Sequence, residues 1–176
     1  MRSLPRFGVL LHDFGRRLQA ALDAAPQAAA EEDRDHVLPI VAALLEGRRA
    51  ADAGDGEAAW TAFAAAGLRL AMLACPSGPA ELRLLDFARR QRRRLAVGTE
   101  AGLPAWWEQS DRHHFDRALT HGVRVAYLLD VPAGETSRRS LPDEAADAAN
   151  YLLFFLAVRC GSPAGAAAAS APGVDR

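Results

Sequence analysis

Apolar residues recur at three- and four-residue spacing through almost the whole of this chain, and no stretch alternates apolar with polar residues convincingly over four positions. That period belongs to the α-helix, where residues three and four apart share a face. Alanine, the best helix former and a poor strand former, dominates the apolar share, and Ile40 is the only isoleucine. The pattern predicts an all-α fold: a helical bundle of about five to six helices over residues 1–160, with a disordered, flexible C-terminal tail over 161–176, where the sequence turns Ala-, Gly- and Pro-rich.

Breakers divide the chain into six helical segments. The first spans about Pro5 to Ala24 with Phe7, Leu10, Leu11, Phe14, Leu18 and Leu22 on one stripe. The second spans about Ala28 to Arg49, with Val37, Val41, Leu44 and Leu45 inward, and Pro39 kinks or splits it. After a loop at 53–56 the third runs about Glu57 to Ala74, carrying Trp60, Phe63, Leu68 and Met72. Pro76-Ser77-Gly78-Pro79 is a turn, and the fourth helix covers about Ala80 to Ala96 with Leu82, Leu85 and Phe87 apolar. The fifth spans about Ala105 to Leu129 and the sixth about Leu141 to Arg159.

The formal net charge is −1, which gives no bulk electrostatic pull toward nucleic acid or membrane. Every fixed basic charge is arginine, so lysine chemistry, whether a Schiff base or a phosphate-loop lysine, is excluded. The two cysteines, Cys75 and Cys160, form no CxxC pair, which argues against a disulfide framework or a cysteine zinc site and suits a reducing, cytoplasmic setting. The longest apolar run, Tyr151 to Val158, is too short to span a bilayer, and Met1 to Leu11 makes a poor signal peptide.

The most informative segment is Ser140 to Tyr151. Ser140 with Asp143 has the spacing of a capping box, and acids in a first turn offset the helix dipole. That leaves Asp147 and Asn150, which with Glu144 form a polar stripe at spacing three in a helix otherwise made of Ala, Leu and Phe. Such a stripe is either a structural polar network or a set of oxygen ligands for a hard divalent cation.

Asp143-Glu144-Ala145-Ala146-Asp147-Ala148-Ala149-Asn150-Tyr151-Leu152-Leu153-Phe154 resembles the second acidic motif, ExxD, of the MazG-like all-α nucleoside triphosphate pyrophosphohydrolases. A wider stretch, from Trp107 through His114-Phe115-Asp116-Arg117-Ala118-Leu119-Thr120-His121 to Gly134-Glu135 and Leu141-Pro142, is similar to the phage dATP/dGTP diphosphohydrolase branch. The resemblance covers about 50 residues and implies hydrolysis of a (deoxy)nucleoside triphosphate to monophosphate and pyrophosphate, with Mg²⁺ or Mn²⁺ activating water. It implies Glu144 and Asp147 as metal ligands and catalytic centre, Asn150 near the substrate, and a homo-oligomer. The family's first motif, EExxE, has no obvious counterpart. Glu31, Glu32 and Asp35, or Asp116, are the candidates for further ligands. In an antiparallel hairpin the start of the sixth helix meets the end of the fifth, which places His121 and Arg124 opposite Glu144 and Asp147. His121, Arg117 and Arg124 are then candidates for phosphate contacts, and Trp107 for stacking on a nucleobase.

Other features stay open. His12-Asp13 reads as a surface pair, because no histidine precedes it to complete a metal dyad of the HD type. Asp111, His113, His114, Asp116 and His121 make a dense cluster that is either an exposed polar stripe or a ligand set. Arg89-Arg90-Gln91-Arg92-Arg93-Arg94, expected at the end of the fourth helix, either complements the dipole there or binds phosphate. The alternative to an enzyme is a non-enzymatic helical binding module, contacting nucleic acid through that arginine-rich stretch. Filling of the ExxD stripe by basic side chains favours the module, and a cleft shared by arginines and stripe favours the enzyme.

Overall fold

A computed structural model describes residues 7–100, 109–131 and 140–160, with side chains placed from residue 9 onward and up to residue 93 in the first stretch. Six helices, α1 (Phe7–Ala24), α2 (Val37–Asp52), α3 (Gly56–Ala74), α4 (Ala80–Glu100), α5 (Asp111–Asp130) and α6 (Leu141–Arg159), account for nearly all of it, with two short 3-10 turns at Pro26–Ala29 and Asp33–His36. No strand occurs among the described residues. The tail over 161–176 lies outside them.

The centre is α3, whose residues are buried almost all round, as an alanine-rich helix without a polar face must be. Helices α1, α2 and α6 pack around it, and α5 packs on α6. Asp55 caps α3 by accepting from the Ala58 N–H at 3.0 Å. Gly54, with φ +81°, turns the chain between α2 and α3. Phe63 of α3 sits edge-on to Phe155 of α6, with centroids 5.4 Å apart, and to Phe115 of α5 at 6.3 Å, so one ring ties three helices.

The expected second helix is split, and α2 begins only at Val37. Pro39 then falls in the first turn, where its missing N–H breaks no helical bond. Val41 and Leu45, expected inward, point out: they are 47% and 58% exposed, and Ile40, Ala43, Leu44 and Gly47 form the inner face. On α4, Leu82 and Leu85 are also exposed, while Leu84 and Phe87 are buried. In both cases several phases of an alanine- and leucine-rich helix were apolar enough to face inward, and the tertiary neighbours chose among them. Asp13, expected on the surface beside His12, is buried and bound to Arg16 at 2.7 Å.

Arg83 of α4 joins three pieces of chain. Its guanidinium donates to the carbonyls of Met72 at 2.8 Å, Cys75 at 2.7 Å and Ala29 at 2.9 Å. Those carbonyls belong to the end of α3 and to the first 3-10 turn, where helical partners run out.

Helix α2 approaches α3 closely at Gly47, where a Cβ would lie 2.7 Å from Phe63 Cε1. Helix propensity alone predicts that Gly47→Ala stabilises by about 1 kcal/mol. The Phe63 ring is hemmed in by Phe115 and Phe155, so overpacking, about 1–3 kcal/mol, outweighs that gain. Thermal melting of Gly47→Ala is expected below wild type, and a raised midpoint would show that the ring gives way.

Candidate functional site

Helices α5 and α6 run antiparallel, because their contacts pair in reverse order. Asp111 meets Arg159 at 3.5 Å, His114 packs on Phe154 with centroids 5.4 Å apart, and His121 meets Glu144. This is the register anticipated from the sequence. His121 Nδ1 and Glu144 Oε2 are 2.6 Å apart, in a pair that is 1% and 2% exposed. Arg124 Nη1 approaches the same carboxylate oxygen at 3.7 Å.

Residues 117, 121 and 124 share one face of α5. The His121 ring stacks on Tyr151 of α6, with centroids 5.4 Å apart and planes 9° from parallel, and the Arg117 guanidinium lies 5.4 Å from the centre of the same tyrosine ring. Tyr151 was legible in the motif but unassigned, since an aromatic in an apolar helix reads first as core. His121 Nε2 and Asn150 Oδ1 are among the buried side-chain atoms with no hydrogen-bond partner in the described residues, as is Gln91 Nε2 of α4. A buried polar atom left unpaired costs about 1–3 kcal/mol, so positions of this kind call for a function or a compensating contact.

The cluster around residue 114 divides. His114 and His121 face inward, His113 and Asp116 are exposed, and Asp116 pairs loosely with Arg112 at 3.8 Å. Ser110 caps α5 by accepting from the His113 N–H at 3.1 Å. At α6, Ser140 does not cap the backbone. Its hydroxyl donates to Asp143 at 2.8 Å instead.

The acids expected to gather around a cation do not come together. Glu144 is held by His121 and Arg124, and Asp147 is half-buried and already engaged. Glu31 is paired with Arg69 and stands 3.6 Å from His36. The hydrogen bond from Arg69 holds the Glu31 carboxyl below its usual pKa, and burial, reinforced by the Arg69 charge, lowers that of His36. Glu32 and Asp35 are exposed. Among the described residues no group of three or more His, Cys, Asp or Glu side chains is placed to hold a metal ion. The oxygen-rich set that Mg²⁺ or Mn²⁺ requires is therefore not assembled among the described residues. Trp107 lies outside the described residues.

The arginine run does not end its helix. Helix α4 continues to Glu100, and its last turn carries no basic residue. Arg89, Arg90 and Arg93 line an open cleft of about 560 Å³, together with Cys75, Asp86, Pro142 and Asp143. Among the described residues no helix is long and apolar enough to cross a membrane. No family model, no curated protein and no solved structure matches the chain.

Proposed function

We propose that this chain binds a nucleoside triphosphate at the α5–α6 face and hydrolyses it to monophosphate and pyrophosphate. One observation carries the reading: Arg117, His121 and Arg124 on one face of α5 meet Glu144 and Tyr151 of α6. Glu144 binds the Nδ1 side of His121 and so orients its ring, with the buried Nε2 left without a hydrogen-bond partner among the described residues. Arg117 and Arg124 are exposed cations whose planar forks suit phosphate. The activity itself comes from the ExxD resemblance.

The test is pyrophosphate release from a panel of dNTPs and NTPs with Mg²⁺ or Mn²⁺. Glu144→Gln and Asp147→Asn are expected to abolish release. Arg117→Ala and Arg124→Ala, at exposed positions, are expected to raise KM about tenfold with unchanged melting. Release that survives both acid substitutions ends the enzyme reading. The second reading, a non-enzymatic helical module contacting nucleic acid through the arginine-rich stretch of α4, is favoured by the contacts of His121 and Arg124 with Glu144, and it predicts no turnover of any nucleotide.

The proposal includes a homo-oligomer in the cytoplasm, with Cys75 and Cys160 both free. Leu38, Val41 and Leu45 of α2 and Leu119, Val123 and Tyr127 of α5 are exposed by 37–80%. The two rows adjoin, since Arg48 of α2 lies over Phe115 of α5 and Leu44 lies beside Gly122. Together they expose on the order of 700 Å², close to what one partner contributes to a standard interface, and a second copy of this chain is the occupant we assign. Light scattering on the same preparation is expected to give a multiple of 18.8 kDa, falling to the monomer in Val123→Glu. A monomeric wild type would remove the oligomer.

A further inference from the structure

We infer that the cleft between α4 and the start of α6 is a binding site for a small phosphorylated molecule that also carries hydroxyl groups, such as a sugar phosphate, distinct from the α5–α6 face. Arg89, Arg90 and Arg93 recur at the spacing that puts them on one side of α4, and all three line the cleft. The dipole explanation for the run fails, because the helix continues past it to Glu100. Three guanidiniums facing one concavity need another reason.

Their existing partners leave most of their donors unused. Arg90 stands 3.7 Å from Asp143, beyond hydrogen-bond length, and its other contact is with the Cys75 side chain, which leaves further N–H groups of the fork for a ligand. Arg89 meets Asp86 at 3.2 Å in a pair exposed by about 60% on both sides, which is a weak surface contact. Arg93 is exposed and has no ion-pair partner among the described residues. A planar fork with free N–H groups is suited to bidentate contact with a phosphate.

Charge and shape select the ligand class. A cavity of about 560 Å³ lies in the range that holds small molecules. Asp86 and Asp143 line the same cleft, and their carboxylates can accept hydrogen bonds from hydroxyl groups. The lining therefore asks for one anionic end and one donor-rich end. Arg92 lines a neighbouring groove beside His12 and Arg16, and Arg89 lies on the border between the two, so a duplex is the competing ligand that the test below must distinguish.

Titration calorimetry on the full chain, with ribose 5-phosphate, inorganic phosphate and a DNA duplex as probes, decides the matter. Ribose 5-phosphate is expected to bind saturably and more tightly than phosphate alone. Arg90→Ala and Arg93→Ala are each expected to weaken it about tenfold, while Arg117→Ala on the α5–α6 face leaves it unchanged. Circular dichroism checks that the variants remain folded; Arg93, exposed and unpaired, is the safe one. No saturable binding at millimolar ribose 5-phosphate, wild-type affinity in both arginine variants, or tighter binding of the duplex with a steep salt dependence would each overturn the inference. Loss of affinity in Arg117→Ala would merge this site with the other and overturn its independence.

Discussion

Replacing His121 by alanine is expected to lower the melting midpoint by roughly 6–12 °C. The pair it forms with Glu144 is almost fully out of water, and removing one member leaves the other buried without its partner. Breaking such a pair costs at least about 3 kcal/mol, and in a chain of this length each kcal/mol moves the midpoint by about 2–4 °C. Glu144→Ala should cost a similar amount. The double replacement His121→Leu with Glu144→Leu should recover most of the loss, because an apolar pair of similar volume has no desolvation to offset. Thermal melts of the wild type, His121→Leu, Glu144→Leu and the double leucine variant form a double-mutant cycle. Independent, additive losses would show that the two side chains do not act as a pair. The cycle concerns stability alone, so it separates the structural role of the pair from any catalytic one.

Arg83→Met is expected to destabilise by about 2–4 kcal/mol, although the methionine keeps most of the aliphatic stem. The loss comes from the carbonyls of Met72, Cys75 and Ala29, which share one guanidinium. Two of these lie at the end of α3, where the helix supplies no further donors. Lysine cannot replace the arginine, because one ammonium does not reproduce a planar fork that reaches three acceptors. Amide hydrogen exchange should therefore accelerate in Arg83→Met and in Arg83→Lys around residues 26–30 and 72–76 before it does so elsewhere. Wild-type stability in Arg83→Lys would contradict this account.

Arg83 also shows where a sequence reading stops. Nothing in a row of helix-forming residues says that this arginine turns inward while Arg89 and Arg93 turn out. Its partners lie 8, 11 and 54 residues away, on other elements. The inward phase of α2 was misread for a related reason. Leu38, Val41, Leu44 and Leu45 offer two apolar faces, and only the approach of α3 at Gly47 selects one. The register of α5 on α6 is legible in the sequence, because a hairpin of two adjacent helices leaves little choice, and it puts His121 and Arg124 opposite Glu144. The gathering of Glu31, Glu32, Asp35 or Asp116 around Glu144 was not legible. Among the described residues Glu31 turns to Arg69 and Asp116 to solvent.

The sequence by itself determined that the chain is helical, the bounds of α3 and α6 to within a residue, and which histidine and arginine face the ExxD carboxylate. These follow from local propensity, from breakers and from a short antiparallel connection. Only the tertiary structure decided which apolar face is core, that the Glu144 carboxylate is bound by a histidine and approached by an arginine, and that three arginines share a cleft with the start of α6. Those outcomes depend on residues far apart in the chain, whose meeting is set by the packing of whole helices rather than by the preferences of any one segment.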